Sequence, residues 1–396
     1  MSDPSHLLFE ARGHDVDAGS GASPTAEIGS KSGVLPRERI RSLIRRKMIM
    51  SVEEIDAAQV QPASLDLRLG RIAYRVRASF LPGLSSTVED QLSDLTQDTI
   101  SLENGAVLER GCVYVVPLLE FLDLPESIFA AANPKSSTGR LDVFTRLITD
   151  RADVFDSVRA KYQGPLFAEI SPRSFSVRVR KGSRLNQIRF RRRASSQVGY
   201  GDFRISDREL ISINNEFPLT DSDAVIRNGL NLSVNLKPEN GSRLIGYRAQ
   251  RFADIVDVDQ VGKYRASDFW EKLTAQRSGR LILDPDQFYI LASKEALHIP
   301  PHLAAEMVPI DPTMGEFRVH YAGFFDPGFG HAPAGGKGSK AVLEVRSHEV
   351  PFILEDSQII GRLIYERLTE RPSQVYGQGI GSHYQAQGLK LSKHFK

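Results

Sequence analysis

The chain repeats itself. In the first half VYVVPLLEFLDLPESIFAA is followed by PKSSTGR, GPLFAEI and VRKGSRLNQIRF, and in the second FYILASKEALHIPPHLAAE is followed by PIDPTMGE, KAVLEV and LEDSQIIGRLIYERL. Corresponding positions keep one register: Tyr289 follows Tyr114 by 175 residues, Pro300 follows Pro125 by 175, Gly315 follows Gly139 by 176 and Glu344 follows Glu169 by 175. A weaker match of SLDL at 64–67 with SVNL at 233–236, offset 169, extends the correspondence towards the front of each half. Self-similarity at one period marks a repeated structural unit, so two copies of a single architecture are expected. A length of 396 residues agrees, because a domain usually holds about 100–200. The polar stretch EFPLTDSDA puts the expected boundary near residue 220, giving units 35–220 and 221–396.

Within the first unit SLDLRLG, RIAYRV, CVYVVPLL, PLFAEI, FSVRVR and NQIRF alternate apolar with polar residues between Gly, Pro or Asp, the pattern of half-buried strands. The expected class is therefore mainly β. One amphipathic helix is predicted from Leu35 to Met50, with Ile40, Leu43 and Ile44 at helical spacing and Arg45, Arg46 and Lys47 on a solvated face. Residues 1–34 are rich in Gly, Ser, Asp and Pro and too poor in aliphatics to offset ordering entropy, so a disordered tail is expected there. The run Arg189 to Arg193 follows a strand-like segment and reads as an exposed edge whose charges discourage sheet pairing, rather than as a phosphate groove.

A net charge of +2 is too balanced for a general nucleic-acid binder but compatible with a local anion site. No apolar run approaches the roughly 20 residues of a membrane span. The N-terminus lacks the basic start and apolar stretch of a secretory signal, so a cytoplasmic protein is expected. Cys112 is the one cysteine, which rules out an internal disulfide and suits a reducing compartment.

Zinc-dependent nucleobase deaminases hold their metal with H-x-E and P-C-x-x-C, and neither motif is present, nor is H-E-x-x-H. No zinc site is expected. The P-loop and nucleophile-elbow motifs are also missing, so any chemistry falls to carboxylates, hydroxyls and backbone. The segment Pro134 to Arg140, PKSSTGR, gathers three hydroxyls, two cations and a glycine; it is either a phosphate cradle or ordinary turn chemistry. Glu344 in AVLEV is either an outward-facing strand residue or a carboxyl that desolvation tunes for proton transfer. Asp326 to Phe329, DPGF, is a tight turn shortly before that strand.

Together these motifs resemble the dCTP deaminase and dUTPase superfamily, its deaminase branch in particular, over residues of about 40–215 and 228–396. QPASLDLRLG (61–70) is similar to the family's opening strand, KSSTGRL (135–141) to its serine-arginine phosphate motif, AGFFDPGF (322–329) to its nucleoside turn, AVLEV (341–345) to the strand of the catalytic glutamate and QIIGRLIYERL (358–368) to the next strand. The tail from Tyr376 through Tyr384-Gln385-Ala386-Gln387-Gly388 resembles the mobile C-terminal lid. The resemblance implies two tandem dUTPase-like distorted β-barrel or jelly-roll domains, assembled as a homo-oligomer with sites between copies of the fold. It also implies hydrolysis of dCTP to dUTP and ammonia in pyrimidine deoxynucleotide synthesis, with dTTP as a candidate inhibitor. Lys135, Ser137 and Arg140 would hold the triphosphate together with Ser136. Ser136 and the carbonyl of Ala322 would also position the attacking water, and Glu344 would shuttle its proton. Asp326 would meet the deoxyribose, and Tyr376 and Gln387 would close over the nucleotide. Magnesium would enter only as the counter-ion of the triphosphate.

Three departures from the family pattern bear on the site. Asp311 to Glu316 stands where the second half should carry a serine-arginine motif, and Glu316 would repel a triphosphate. The first half keeps Glu169 but has VFDSVRAKYQG in place of the Asp-Pro-Gly turn, so Glu169 reads as a structural relic. His383 and Phe324 replace basic residues of the family. Two other readings stay open: a dUTPase or a bifunctional enzyme releasing dUMP, and a non-catalytic nucleotide-binding regulator.

Overall fold

The computed structural model describes residues 31–194, 203–239, 241–309, 317–320, 323–331, 338–347, 349–378 and 384–396. The described chain is mainly β, with its strands in six sheets. No described helix is long and apolar enough to cross a membrane.

The two halves use the same pairings in the same order. In the first, Thr96–Ser101, Ile72–Val76, Val113–Asp123, Gln163–Pro172 and Val143–Thr149 lie side by side. In the second, Trp270–Thr274, Leu244–Ala249, Phe288–Leu297, Ser339–Ser347 and Phe317–His320 do so. A second sheet sets Asn186–Arg192 against Leu65–Leu67 and Ile128–Pro134, and its counterpart sets Ile359–Arg367 against Leu230–Ser233 and Leu303–Pro309. The strand-like segments of the first unit are all strands. Where a strand lies between two others and under further layers, its alternation gives way to continuous burial: SKAVLEVRS, Ser339–Ser347, is buried at every position.

The N-terminal helix is shorter than the periodicity predicts, Arg37–Arg45. Lys47 adopts a left-handed φ of 58°, and Ile49–Ser51 leaves the helix to pair with Glu120, Phe121 and Leu122. Sheet pairing offers these residues more than another helical turn would. The expected disordered tail lies outside the described residues as far as residue 30. Its last residues are a correction: Gly33–Val34 is a strand against Arg191 and Arg192, and Val34 is fully buried.

The arginine run is a second correction. Arg189 and Arg191 are 0% and 5% exposed, and their strand is paired on both sides. Alternation within one strand does not reveal that another half of the chain covers it. Arg191 Nε donates to Glu366 at 2.8 Å and Arg191 Nη2 to Glu306 at 2.8 Å, while Arg189 Nη1 donates to Glu366 at 3.3 Å and to the carbonyl of Ala305 at 3.0 Å. Further contacts join the halves: Val256–Asp257 adds a parallel strand beside Val177–Val179, and Phe175 meets Phe269 and Trp270 edge-on. The helix Asp207–Glu216, although it precedes residue 220, packs Leu210 into the second half's core.

Replacing Glu366 by Ala would strand two buried guanidinium groups beside weaker partners. Urea unfolding should then show a loss of about 3 kcal/mol or more, and a loss below about 1 kcal/mol would mean the network does not hold the halves together.

Candidate active site

Lys135 is extended, with φ −65° and ψ 145°, and turns the strand Ile128–Pro134 into a single helical turn, Ser136–Gly139. The amides of Thr138, Gly139 and Arg140 are spent inside it, on the carbonyls of Lys135 and Ser136 at 2.8, 3.0 and 3.1 Å. The first amides of a turn have no partner within it, so Ser136 and Ser137 present both N–H groups and hydroxyls.

This turn borders a cavity of about 480 Å³ to which both halves contribute. Lys135, Ser136, Ser137 and Arg140 come from the first half, and Asp326, Glu344, Tyr376 and Gln387 from the second. The described candidates from the sequence thus line one space. Ala322, His383 and the segment Asp311 to Glu316 lie outside the described residues. Asp66, Arg37, Gln187 and Lys393 also line the cavity and were missed, and Phe329 of the DPGF turn lines it as well. Asp66 carried a signal, an acid in the otherwise apolar strand LDL, and it forms an ion pair with Lys135.

Glu344 is in the middle of its strand, opposite Ile290 on one side and His320 on the other, and is 4% exposed. Arg140 Nε stands 4.0 Å from its Oε1. Burial pushes the Glu344 carboxyl up to about 8, with Arg140 pulling the other way. Arg140 is held from several directions: Nη1 donates to Gln387 Oε1 at 3.1 Å and to the carbonyl of Lys390 at 2.9 Å, and the guanidinium lies 4.0 Å from the centre of the Tyr384 ring. Among the described residues its Nε has no hydrogen-bond partner.

Asp326 is pushed up to about 6, again mainly by burial and against the pull of Arg189, whose Nη2 is 3.4 Å away. Its turn needs glycine at 328: φ is +90°, and a Cβ there would meet Val375 Cβ at 2.7 Å. Tyr376 is tied to the same turn by its N–H to the Pro327 carbonyl at 2.8 Å and packs on Phe329. Phe324 lies 4.1 Å over the Arg189 guanidinium, a place where the family's arginine would set cation against cation.

Glu169, at the matching position of the first half, has a different setting. Arg146 binds its Oε1 through Nε at 3.0 Å and Nη2 at 2.6 Å. Glu169 is thus paired with a cation of its own sheet through one oxygen, and among the described residues its Oε2 has no hydrogen-bond partner.

The tail departs from the expected loosely held lid. Residues 384–396 are tied to both halves: Ser392 Oγ donates to the carbonyl of Ser137 at 2.7 Å, Gly262 N–H to the carbonyl of Lys393 at 2.9 Å, and Phe395 packs among Tyr264, Phe269 and Trp270. Aliphatics are few here, but aromatic and polar anchors replace them. His298 and His302 are four residues apart with Pro300 and Pro301 between them. Among the described residues no three His, Cys, Asp or Glu gather as a metal cage.

A buried acid faces a serine-arginine turn across two halves of one chain, an arrangement chemically suited to an anionic ligand. Residues 31–194 match the N-terminal domain of 2'-deoxycytidine 5'-triphosphate deaminase and residues 206–395 match its C-terminal domain. A crystal structure of 2'-deoxycytidine 5'-triphosphate deaminase from Agrobacterium tumefaciens is similar at 54% identity and a TM-score of 0.81, covering 85% of this chain and 99% of that one. The dCTP deaminase of Haloarcula marismortui is 26% identical over 38% of this chain and 75% of that protein. The dUMP-forming dCTP deaminase of Persephonella marina is 29% identical over 28% of this chain and 60% of that protein. The chain belongs to the dCTP deaminase family.

Two outcomes follow from this geometry. The folded chain holds the Glu344 proton more tightly than the unfolded chain, so its contribution to stability is complete below the ordinary 4.5 and is lost as pH rises towards about 8. Glu344→Gln should remove that slope in thermal midpoints measured from pH 4.5 to 8.5, and an identical slope would show the carboxyl to be solvated. Phe395→Ala should lower stability by about 2 kcal/mol in denaturant titration; no measurable loss would return the tail to the status of a mobile lid.

Proposed function

We propose that the protein hydrolyses the exocyclic amine of dCTP, giving dUTP and ammonia, at a site built from the serine-arginine turn of one dUTPase-like jelly-roll and the glutamate of a second. The observation that carries this reading is Glu344, buried in the same cavity as Ser136, Ser137 and Arg140 and 4.0 Å from Arg140. A carboxyl with a raised proton affinity near neutral pH suits both halves of the task. As carboxylate it takes a proton from water attacking C4 of cytosine, and as acid it returns that proton to N3 or to the departing ammonia. Ser136 and the Ala322 carbonyl hold the water; Lys135, Ser137 and Arg140 bind phosphate. Asp326 meets the deoxyribose, and Tyr376 and Gln387 cover the nucleotide.

The cavity's other carboxylates are engaged by cations, Asp66 by Lys135 and Asp326 by Arg189. Magnesium would therefore be held by the phosphate oxygens and arrive with the nucleotide, and no step needs zinc. The same proposal includes a homo-oligomer, a cytoplasmic location and inhibition by dTTP. A second reading, continued hydrolysis to dUMP and diphosphate, is favoured by relatives that are named dUMP-forming.

Incubation with dCTP and magnesium after removal of transition metals should release ammonia, and chromatography of the product separates dUTP from dUMP. Neither product, or activity restored only by zinc, would sink the proposal. Glu344→Gln should keep nucleotide binding but lose turnover by roughly 10²–10⁴. Arg140→Ala should weaken triphosphate binding by roughly 1.5–3 kcal/mol. Glu169→Gln should change neither; if it abolishes turnover while Glu344→Gln does not, the two glutamates have been assigned the wrong way round.

A further inference from the structure

Behind the serine-arginine turn lies a second chamber of about 180 Å³, which shares Asp66, Lys135, Ser137 and Lys393 with the main cavity. Its charges are nearly all spoken for. Asp66 pairs with Lys135, Arg184 reaches Asp56 at 3.1 Å, and Asp259 is held by Arg180 and by Ser183 at 2.6 Å. Lys393 is the exception: it is half-buried, it borders both spaces, and among the described residues no acid lies within ion-pair distance of it.

We propose that Lys393 binds the terminal phosphate of the nucleotide, at the passage where the main cavity opens into this chamber. The inference rests on the nucleotide-binding reading above and adds a residue from beyond the lid motif. Lys393 is no loose surface lysine. On one side Ser392 is hydrogen-bonded to the Ser137 carbonyl at 2.7 Å. On the other the His394 ring is held between Ser392 Oγ at 2.8 Å and the Val258 carbonyl at 2.9 Å. Lys393 N–H itself donates to the Tyr384 hydroxyl at 3.3 Å.

A lysine fixed in a polar recess without a direct ion-pair partner carries a desolvation cost that an incoming anion relieves. Burial depresses its proton affinity, and so does Lys135, while Asp66 and Asp259 pull the other way from beyond ion-pair distance. Lys135, which shares its charge with Asp66, leaves room for a second cation at the terminal phosphate. A triphosphate lying along Ser136, Ser137 and Arg140 would extend its last phosphate towards Lys393, and a shorter nucleotide would not reach it.

The test compares Lys393→Met and Lys393→Arg with the natural protein, using ammonia release from dCTP and dCDP and calorimetric titration with inorganic tripolyphosphate. Lys393→Met should raise KM for dCTP by about ten- to a hundredfold, keep kcat within about twofold, erase the preference for dCTP over dCDP and weaken tripolyphosphate binding equally; Lys393→Arg should restore most of each. An equal loss for both nucleotides with a lowered thermal midpoint would make Lys393 structural, and tripolyphosphate binding undiminished in Lys393→Met would overturn the proposal outright. Should the natural protein release no ammonia from dCTP, the deamination reading fails, while tripolyphosphate titration still decides the role of Lys393.

Discussion

The fold depends on one desolvated network, in which Arg189 and Arg191 of the first half meet Glu366, Glu306 and Asp326 of the second. Two guanidinium groups removed from water are costly, and their attraction to the acids repays that only if the geometry is good and the remaining donors are satisfied. Here Arg189 also finds the carbonyls of Ala305 and Phe325, at 3.0 and 3.3 Å, while its Nε is left without a partner among the described residues. The network is therefore weak as a source of stability but strict as a register. If the halves slide, buried charges lose their partners. Arg140 and Glu344 sit on different halves, so their 4.0 Å separation is meaningful only because that register is fixed.

The same network reaches the ligand cavity directly. Asp326 is both the last member of the charge chain and a wall of the pocket, and Phe324 stacks on Arg189 just before it. A nucleoside contacting Asp326 would touch the element that locks the halves together, so ligand binding and inter-half docking are expected to reinforce one another. The tail adds a second tie: Gln387 holds Arg140, and Ser392 holds the serine-arginine turn.

Much of this was legible in the sequence, because the informative features were local. PKSSTGR, DPGF and AVLEV each combine polar chemistry with a turn or strand context, and each borders the cavity. The constant offset of about 175 residues is matched by equivalent strand pairings in the two halves. What escaped was whatever depends on one half covering the other. Arg189 and Arg191 have the sequence signature of an exposed edge, and only the second half makes them interior. Gly33–Val34 is too short to show periodicity and gains its strand from Arg191 and Arg192. The tail resembles a mobile lid in sequence, whereas Phe395, His394 and Ser392 anchor it.

The two glutamates show how equivalent positions can be given different chemistry without altering the backbone. Glu169 pairs with Val115 and Arg146 across its sheet, and Glu344 pairs with Ile290 and His320 across the matching one. The decisive change is the cross-strand neighbour. Arg146 reaches Glu169 Oε1 in two short bonds and is itself stacked on Phe155 at 3.5 Å, so this acid is engaged by a cation of its own half. Among the described residues Glu344 has no such cation; the one within ion-pair distance is Arg140, from the other half, at the limit of that distance and already engaged by Gln387 and Lys390. A cation that near lowers the cost of the carboxylate without claiming its oxygens, so the proton can leave and return. Specialisation of the repeat therefore lies in the cations around two like-placed acids, with the acids themselves unchanged.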